Sequence, residues 1–192
     1  LTGHLVFSTI HTNTAVGAIP RLIDMGVDPF LIAPTLSMVI GQRLARRICP
    51  GTGRAIPIEG SLKLLIDKEF EDLPAETRAR ILPKSKEMLG IQGSTECPSG
   101  TKGRVGIFEM LEMNKEIEQA ILVKATEPDI RLIARKNGMV TMREDAIVKA
   151  LNKQIPFEEV SAFGASFGEE EEVEEEKEPK PTKKAPKEEV EE

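Results

Sequence analysis

Apolar positions along this chain recur in patterns that predict strands and helices in turn. Leu5–Ile10 is a short, continuously apolar run, which predicts a strand buried on both faces. Helical spacing follows, and there we predict Asn13 as the N-cap, a kink or a restart of the helix at Pro20, and a C-terminal stop at Gly26. This part of the chain therefore predicts a strand followed by a helix.

A second helix and two further strands are predicted next. Asp28-Pro29 has the pattern of an N-cap followed by the first helical residue, and helical spacing continues from there towards Gly41. Arg43–Cys49 then alternates as a strand does, and Val105–Met113 returns to strand-like apolarity.

The composition changes between residues 50 and 100, and we interpret this region as an inserted subdomain. It opens and closes in Gly-, Pro- and Thr/Ser-rich segments and holds two predicted short helices, about Glu59–Phe70 and Pro74–Leu82.

Three more helices, each with its own start signal, are predicted after the insert. Their N-caps are Asn114, Thr126 and Thr141, and in the last two an acidic residue three positions later completes a capping box. A final short helix is predicted over Phe157–Phe163.

The charge of the chain is concentrated in its last residues. Residues 169–192 carry twelve Glu and five Lys, so their net charge of −7 leaves about +1 of the total −6 for residues 1–168. With almost no apolar residues, 165–192 is predicted to be disordered. The tail is interpreted as a solvated terminus or as a tether for a basic partner. Aromatic residues are 4% of the chain, without Trp or Tyr, so base stacking on nucleic acid is not expected.

Within the 192 residues no secretory leader is recognisable, so Cys49 and Cys97 are expected to be free thiols in a reducing cytosol. No apolar run reaches the roughly 18 residues that span a bilayer. The sequence begins with Leu1 and an apolar segment, so we expect it to be cut from a longer chain.

Polar residues end the first apolar run and could carry chemistry. Ligands of parallel α/β sheets bind where strands end and helices begin, and there the backbone N–H groups of Thr14 and Ala15 would favour an anion. His11 would then orient a water or bind a phosphate oxygen. The alternative is that Thr12 and Asn13 cap a helix and that His11 is an ordinary surface residue.

Several long motifs give the chain a resemblance to a known family. STIHTN, GAIPRLIDMG, QRLARRICP, KGRVGIFE and GMVTMREDA occur in this order. Together they resemble the region after the Walker B motif in type II secretion and type IV pilus assembly ATPases. The likeness covers roughly residues 1–163 and is weakest between 50 and 96.

The resemblance implies roles for individual residues. His11 matches the His-box histidine near the γ-phosphate and the attacking water, whereas His4 is expected to be structural. Arg104 matches an arginine beside the nucleotide base, where its flat guanidinium could stack; the alternative is a solvated arginine at a strand start. Arg21 and Arg43 are expected at subunit interfaces or in ion pairs, with nucleotide sensing as the other interpretation.

The implied fold is α/β, the C-terminal part of a RecA-like P-loop ATPase domain. It assigns residues 1–49 to that core, 50–100 to a helical insert, 101–164 to a strand with a C-terminal helical subdomain, and 165–192 to the acidic tail.

The resemblance also implies the setting in which the chain works. Complete members are cytoplasmic homo-hexamers at the inner membrane that use ATP and Mg²⁺, and they act through an inner-membrane platform protein to assemble pseudopilins or pilins. No G-x-x-x-x-G-K-[ST] motif occurs here, so we expect no ATP hydrolysis by this chain alone. It is expected to be a fragment of the motor or, alternatively, a naturally short non-catalytic ring or adaptor subunit.

Many members of the family that the chain resembles carry a zinc site of four cysteines. In this chain only two of these cysteines, Cys49 and Cys97, are present. A structural zinc takes four ligands, and no histidine is close in sequence. We therefore expect no metal, and elemental analysis of the purified protein should find no stoichiometric zinc. A one-to-one zinc content would contradict this prediction.

Overall fold

Two antiparallel strand pairs and seven α-helices make up residues 3–164, the part of the chain that the computed structural model describes. The protein is therefore of the mixed α/β class. The predicted tail, 165–192, lies outside the described residues. The elements in chain order are α1 Ala18–Asp24, α2 Pro29–Thr35, β1 Met38–Ile48, β2 Arg54–Pro57, α3 Gly60–Glu69, α4 Ala75–Ile81, β3 Glu87–Gly90, β4 Thr101–Glu112, α5 Lys115–Leu122, α6 Glu127–Lys136, α7 Met142–Leu151 and a final 3₁₀ helix, Phe157–Phe163.

The long strands β1 and β4 pair with each other. Met38 lies opposite Glu112 and Gly41 opposite Glu109, and the register shifts once, between Arg46 and Ile48. Because side chains alternate along a strand, the odd-numbered residues from 107 to 111 are buried while their even-numbered neighbours are exposed.

Strand β4 contributes to two separate apolar clusters. Ile107 belongs to the cluster formed with Phe70, Met88 and α7, and Leu111 belongs to the cluster of α1, α2, α5 and α6. One strand therefore ties the two halves of the core together, with Glu109 between them.

The predicted start signals of four helices are confirmed. Asp28 caps α2, and Asn114 caps α5 by accepting a hydrogen bond from the Ile117 N–H at 2.9 Å. Thr126 and Thr141 each head a complete capping box. The two predicted helices of the 50–100 region also form, within about one residue of their expected ends.

The prediction of a buried strand over Leu5–Ile10 is wrong in this structure. The segment has no regular secondary structure, and Leu5 and Phe7 are 77% and 89% exposed. A strand is held by hydrogen bonds to a neighbouring strand, and β1 and β4 pair only with each other, as do β2 and β3, within residues 3–164.

Two predicted boundaries near the first helices are also wrong. α1 begins at Ala18 with Gly17 as its N-cap, so Asn13 does not cap it. Pro20 lies in the first turn of α1, where its missing N–H costs no hydrogen bond. There is no kink at Pro20, and the alternative of a helix that starts again near it is closer to the observed start at Ala18. α2 ends at Thr35, because Met38–Ile40 pair with β4 instead of continuing the helix.

The prediction of free thiols is corrected by a disulfide. Cys49 and Cys97 are bonded, with their Cα atoms 6.7 Å apart. The intervening chain reverses through the β2–β3 pair and brings the end of β1 back to the start of β4, where Cys49 N–H donates to the Gly100 carbonyl at 3.1 Å. The two cysteines, which are far apart in sequence, are therefore neighbours in the structure.

A buried arginine joins α6, α7 and the loop after α3. Arg135 is 6% exposed and Glu144 is fully buried. The guanidinium donates to both Glu144 carboxylate oxygens at 2.6 Å, to both oxygens of Asp72, and to the Met139 carbonyl at 2.7 Å. All five donors of the side chain are therefore satisfied, which offsets the cost of burying the charge.

The Arg135 network predicts a contribution to acid sensitivity. The hydrogen bonds from Arg135 hold the pKa of Asp72 below its ordinary value. A depressed pKa stabilises the fold above the unfolded-state value and loses that effect as the pH falls through the folded-state value. Because the Asp72 side chain is 61% exposed, Asp72→Asn should cost at most about 1 kcal/mol at pH 7. The difference from wild type should shrink below about pH 4.

Urea unfolding of both proteins between pH 3 and 7 measures this difference. Asp67→Asn is the matched control, because Asp67 is exposed on α3 and makes no ion pair within the described residues. A constant difference across the pH range would contradict the prediction.

The disulfide predicts a redox-dependent stability. It closes a segment of 48 residues, and restricting the unfolded chain over such a length stabilises by about 2–4 kcal/mol. Adding dithiothreitol should lower the urea midpoint of the wild type by a corresponding amount. The Cys49→Ser/Cys97→Ser double variant should unfold at the lower midpoint with or without reductant. Equal wild-type midpoints in both conditions would contradict the role of the bond.

Candidate functional site

The predicted His-box residue lies at the surface. His11 is exposed, in an extended segment before α1, and its side chain makes no hydrogen bond to another described residue. The nearby Thr12 hydroxyl donates to the Thr14 carbonyl at 2.9 Å. His11 is therefore free to meet a ligand from solvent, while the chain after it is held in place.

The segment that carries His11 is fixed at its C-terminal end by two carboxylates. The Thr14 hydroxyl donates to Glu127 Oε1 at 3.1 Å and accepts from the Gly17 N–H at 3.0 Å. The Ala15 N–H donates to Glu109 Oε1 at 2.7 Å. This N–H group was expected to favour an anion, and in the structure its partner is the protein's own carboxylate.

Glu109 bridges this turn to another helix start. Its second oxygen accepts from the Met142 N–H, the first of α7, at 3.4 Å. The positive end of α7 suits a buried carboxylate. Gly41 lies opposite Glu109 on β1, and a Cβ there would stand 2.5 Å from the Met142 Cε. The absence of a side chain at Gly41 therefore leaves room for the end of the Met142 side chain.

A cleft of about 370 Å³ opens beside this junction. Asn13, Thr14, Arg43, Glu109, Thr141 and Arg143 are among the residues that line it. Arg143 lies 3.3 Å from Glu69, another residue of the lining. Burial raises the pKa of Glu69, and the Arg143 charge opposes that shift. The cleft thus combines arginines, carboxylates and hydroxyl groups, a set suited to binding polar or charged ligands.

The three predicted arginines lie in different places. Arg43 lines the cleft beside Asn13 and is exposed, with no ion pair inside the described part of the chain. Arg21 is exposed in the last turn of α1, where a positive charge suits the helix C-terminus. Arg104 is exposed at the start of β4, opposite Arg46. The structure therefore brings Arg43 to the His11 segment.

Arg104 is not part of the cleft. It is five residues from Glu109 along β4, which corresponds to about 17 Å, and the odd separation places it on the opposite face. No group of three or more His, Cys, Asp or Glu side chains that could hold a metal ion occurs among residues 3–164.

Comparison with known proteins identifies the family. Residues 1–162 match the family model described as "Type II/IV secretion system protein". The chain belongs to this family.

Individual relatives are named after two machines. The chain is 41% identical over 163 residues to the type IV pilus assembly ATPase PilB of Thermus thermophilus, covering 84% of this chain and 17% of the relative. It is 38% identical over 165 residues to the type II secretion system protein E of Xanthomonas campestris (83% and 27%). It is also 37% identical over 164 residues to the type II secretion system ATPase E of Vibrio cholerae (83% and 29%). The chain therefore spans less than a third of the length of these relatives.

Four of the five motifs of this type II/IV secretion system family member meet at the cleft. Asn13 comes from STIHTN, Arg43 from QRLARRICP, Glu109 from KGRVGIFE, and Thr141 and Arg143 from GMVTMREDA. Segments far apart in the chain thus supply one site. None of the helices described between residues 3 and 164 is long and apolar enough to cross a membrane.

Sequence reasoning missed Glu109, although a signal was present. In the apolar strand segment IFEML, strict alternation places Glu109 on the same face as Ile107 and Leu111, which are both fully buried. A charged residue on the core face of a strand is costly unless it is bonded, so its position indicated a local role for its carboxylate.

Proposed function

We propose that this type II/IV secretion system family member is the C-terminal part of a motor ATPase that couples ATP binding and hydrolysis to pseudopilin or pilin assembly. The observation that carries the proposal is the family match over residues 1–162 together with relatives named as secretion or pilus assembly ATPases. The proposal includes both type II secretion and type IV pilus assembly, because relatives named after each of them match at similar sequence identity.

In this proposal residues 1–49 complete a RecA-like core, 50–100 form an insert, 101–164 add a helical subdomain and 165–192 form an acidic tail.

Exposed apolar surface supports the proposal that a further part of the motor packs against this chain. Leu5, Val6 and Phe7 are exposed, and so are Met110, Ile40 and Leu44 on the outer face of the β1–β4 pair. Apolar surface of this extent is typical of a region that another part of a protein covers.

His11 is assigned to the neighbourhood of the γ-phosphate and the attacking water. Its exposed imidazole, next to a chain segment fixed by Glu109 and Glu127, suits the binding or orientation of a ligand group. The described residues do not fit a complete ATP–Mg²⁺ site, because no cluster of acidic ligands occurs among them and the sequence holds no P-loop motif. The remaining groups would belong to the rest of the motor, and this chain alone would not hydrolyse ATP.

The arginines divide between two roles. Arg104 is assigned to the nucleotide base, since its exposed guanidinium at a strand start is available for stacking. Arg43, in the cleft, and Arg21, on the outer face of α1, are assigned to subunit contacts or nucleotide sensing.

The motor is proposed to act as a homo-hexamer on the cytoplasmic side of the inner membrane, against a membrane-embedded platform protein and without nucleic acid. Nucleotide state would bias a two-state domain rotation, because phosphate contacts differ between the two states. Family membership supports this proposal.

A naturally short, non-catalytic ring or adaptor subunit is the second proposal. The 192 residues hold no P-loop motif, which fits this proposal as well as the first. The coding sequence ahead of Leu1 separates the two proposals. An open frame with a P-loop and an acidic strand supports the motor, whereas a start codon beside Leu1 supports the adaptor.

His11 gives the proposed motor its sharpest test. In the complete ATPase, His11→Ala should lower kcat by about 100-fold, because a group that acts on the attacking water or the transferred phosphate is lost. The affinity for a non-hydrolysable ATP analogue should change little. Steady-state phosphate release and equilibrium nucleotide binding measure the two quantities.

His4→Ala is the matched control, because His4 is an exposed histidine of the same segment and should leave turnover near the wild-type value. Unchanged turnover in His11→Ala would remove His11 from the mechanism.

A further inference from the structure

Glu109 differs from the other buried charged residues of the structure. Among residues 3–164, the buried charged side chains are Glu109, Arg135 and Glu144. The last two neutralise each other, whereas Glu109 makes no ion pair within the described part of the chain, although it is only 4% exposed. Its two partners are backbone N–H groups.

Burying a carboxylate between two backbone donors is favourable only if both bonds form. One of them, from Ala15 at 2.7 Å, has the short length of a charge-assisted hydrogen bond. The other, from Met142, comes from the first residue of α7, where the helix dipole favours a negative charge. Glu109 therefore fixes two separate backbone positions to the middle of β4.

The position fixed on one side is the turn directly after His11–Asn13. Toward the N-terminus the segment has no regular secondary structure, and its apolar side chains lie in solvent. Thr14 adds a bond to Glu127 of α6. The direction in which the chain leaves towards His11 is thus set at Thr14 and Ala15, by one carboxylate from β4 and one from α6.

Glu109 itself is not placed to react. Both of its carboxylate oxygens accept hydrogen bonds from backbone groups, and the side chain is buried. It can act on a ligand near His11 only through the backbone that it holds.

We propose that Glu109 is a positioning residue that holds the His11 segment against β4 and the start of α7. Any displacement of α7 relative to β4 would then be transmitted to the His11 segment through one carboxylate. The consequence for catalysis rests on the proposed function, whereas the positioning itself is a property of this chain.

Amide hydrogen exchange in the 192-residue chain tests the positioning. Glu109→Met has similar length and only a weak thioether acceptor, so the Ala15 amide should exchange roughly 10- to 100-fold faster than in wild type, the range expected for losing a bond to a charged group. The Met142 amide, whose bond is longer at 3.4 Å, should also exchange faster, by a smaller factor. Glu109→Gln keeps one acceptor oxygen and should protect only one of the two amides. The Ile147 amide, in the core of α7, reports global unfolding and is the internal reference.

Glu112→Met is the matched control, because Glu112 is exposed on the same strand and should leave both amides protected. If Glu109→Met does not fold, measurements on Glu109→Gln and on the wild type still test the positioning role. The wild-type protein should show a through-hydrogen-bond coupling between the Ala15 nitrogen and the Glu109 carboxylate carbon. Wild-type protection of both amides in Glu109→Gln, or no such coupling, would overturn the proposal.

Turnover of the complete ATPase separates this inference from the proposed function. Glu109→Gln should lower kcat with little change in KM, as expected for a displaced catalytic group. Faster amide exchange with unchanged kcat would overturn the positioning role in the reaction. If His11→Ala left the turnover of the complete ATPase unchanged, that result would instead count against the proposed function, whatever the amide exchange rates show.

Discussion

The pairing of β1 with β4 is the constraint on which the rest of this structure depends. Every second residue of β4 from 107 to 111 faces the protein interior. The two apolar residues among them enter different clusters: Ile107 packs with α7 and the 50–100 region, and Leu111 packs with α1, α2, α5 and α6. A one-residue slip in register would expose both and bury Phe108 and Met110 instead. The two clusters therefore depend on the same ten pairs of opposed residues.

The buried charged side chains hold helices and strands in position relative to one another. Arg135 joins α6 to α7 through Glu144 and reaches Asp72 beyond α3, and Glu109 joins β4 to the turn before α1 and to α7. Neither adds apolar burial. Each would leave unpaired polar groups behind if its elements moved apart, so these side chains define geometry more than they add stability.

In the cleft beside Glu109, residues from motifs that are far apart along the chain come together. Asn13, Arg43 and Thr141 come from separate motifs and line one cleft. The carboxylate on its wall belongs to a fourth. For this type II/IV secretion system protein, an event that shifts α7 would reach the His11 segment without a long chain of contacts. Such a link requires that the protein has two states with different contacts. In this proposal the two states would differ in the hydrogen bonds of Glu109.

Local chemistry made much of this structure predictable. The N-caps Asp28, Asn114, Thr126 and Thr141 act within a few residues of themselves, so their helices could be read from sequence. The polar cluster and the motifs predicted a site at the His11 segment, and this stays a prediction. Sequence could not place the end of α2, because Met38–Ile40 suit a helix or a strand equally and only pairing with β4 decides between them.

Three features were decided by the tertiary structure alone. Leu5–Ile10 has strand-forming composition but no partner strand within residues 3–164, and a strand cannot supply its own hydrogen bonds. The Cys49–Cys97 bond joins residues separated by 48 positions in sequence, so it depends on the path of the chain between them. Glu109 was visible as a charge on an apolar face, but its partners, Ala15 and Met142, are 94 and 33 residues away. Sequence by itself determined the elements whose hydrogen bonds are local, and tertiary structure decided those whose partners are distant.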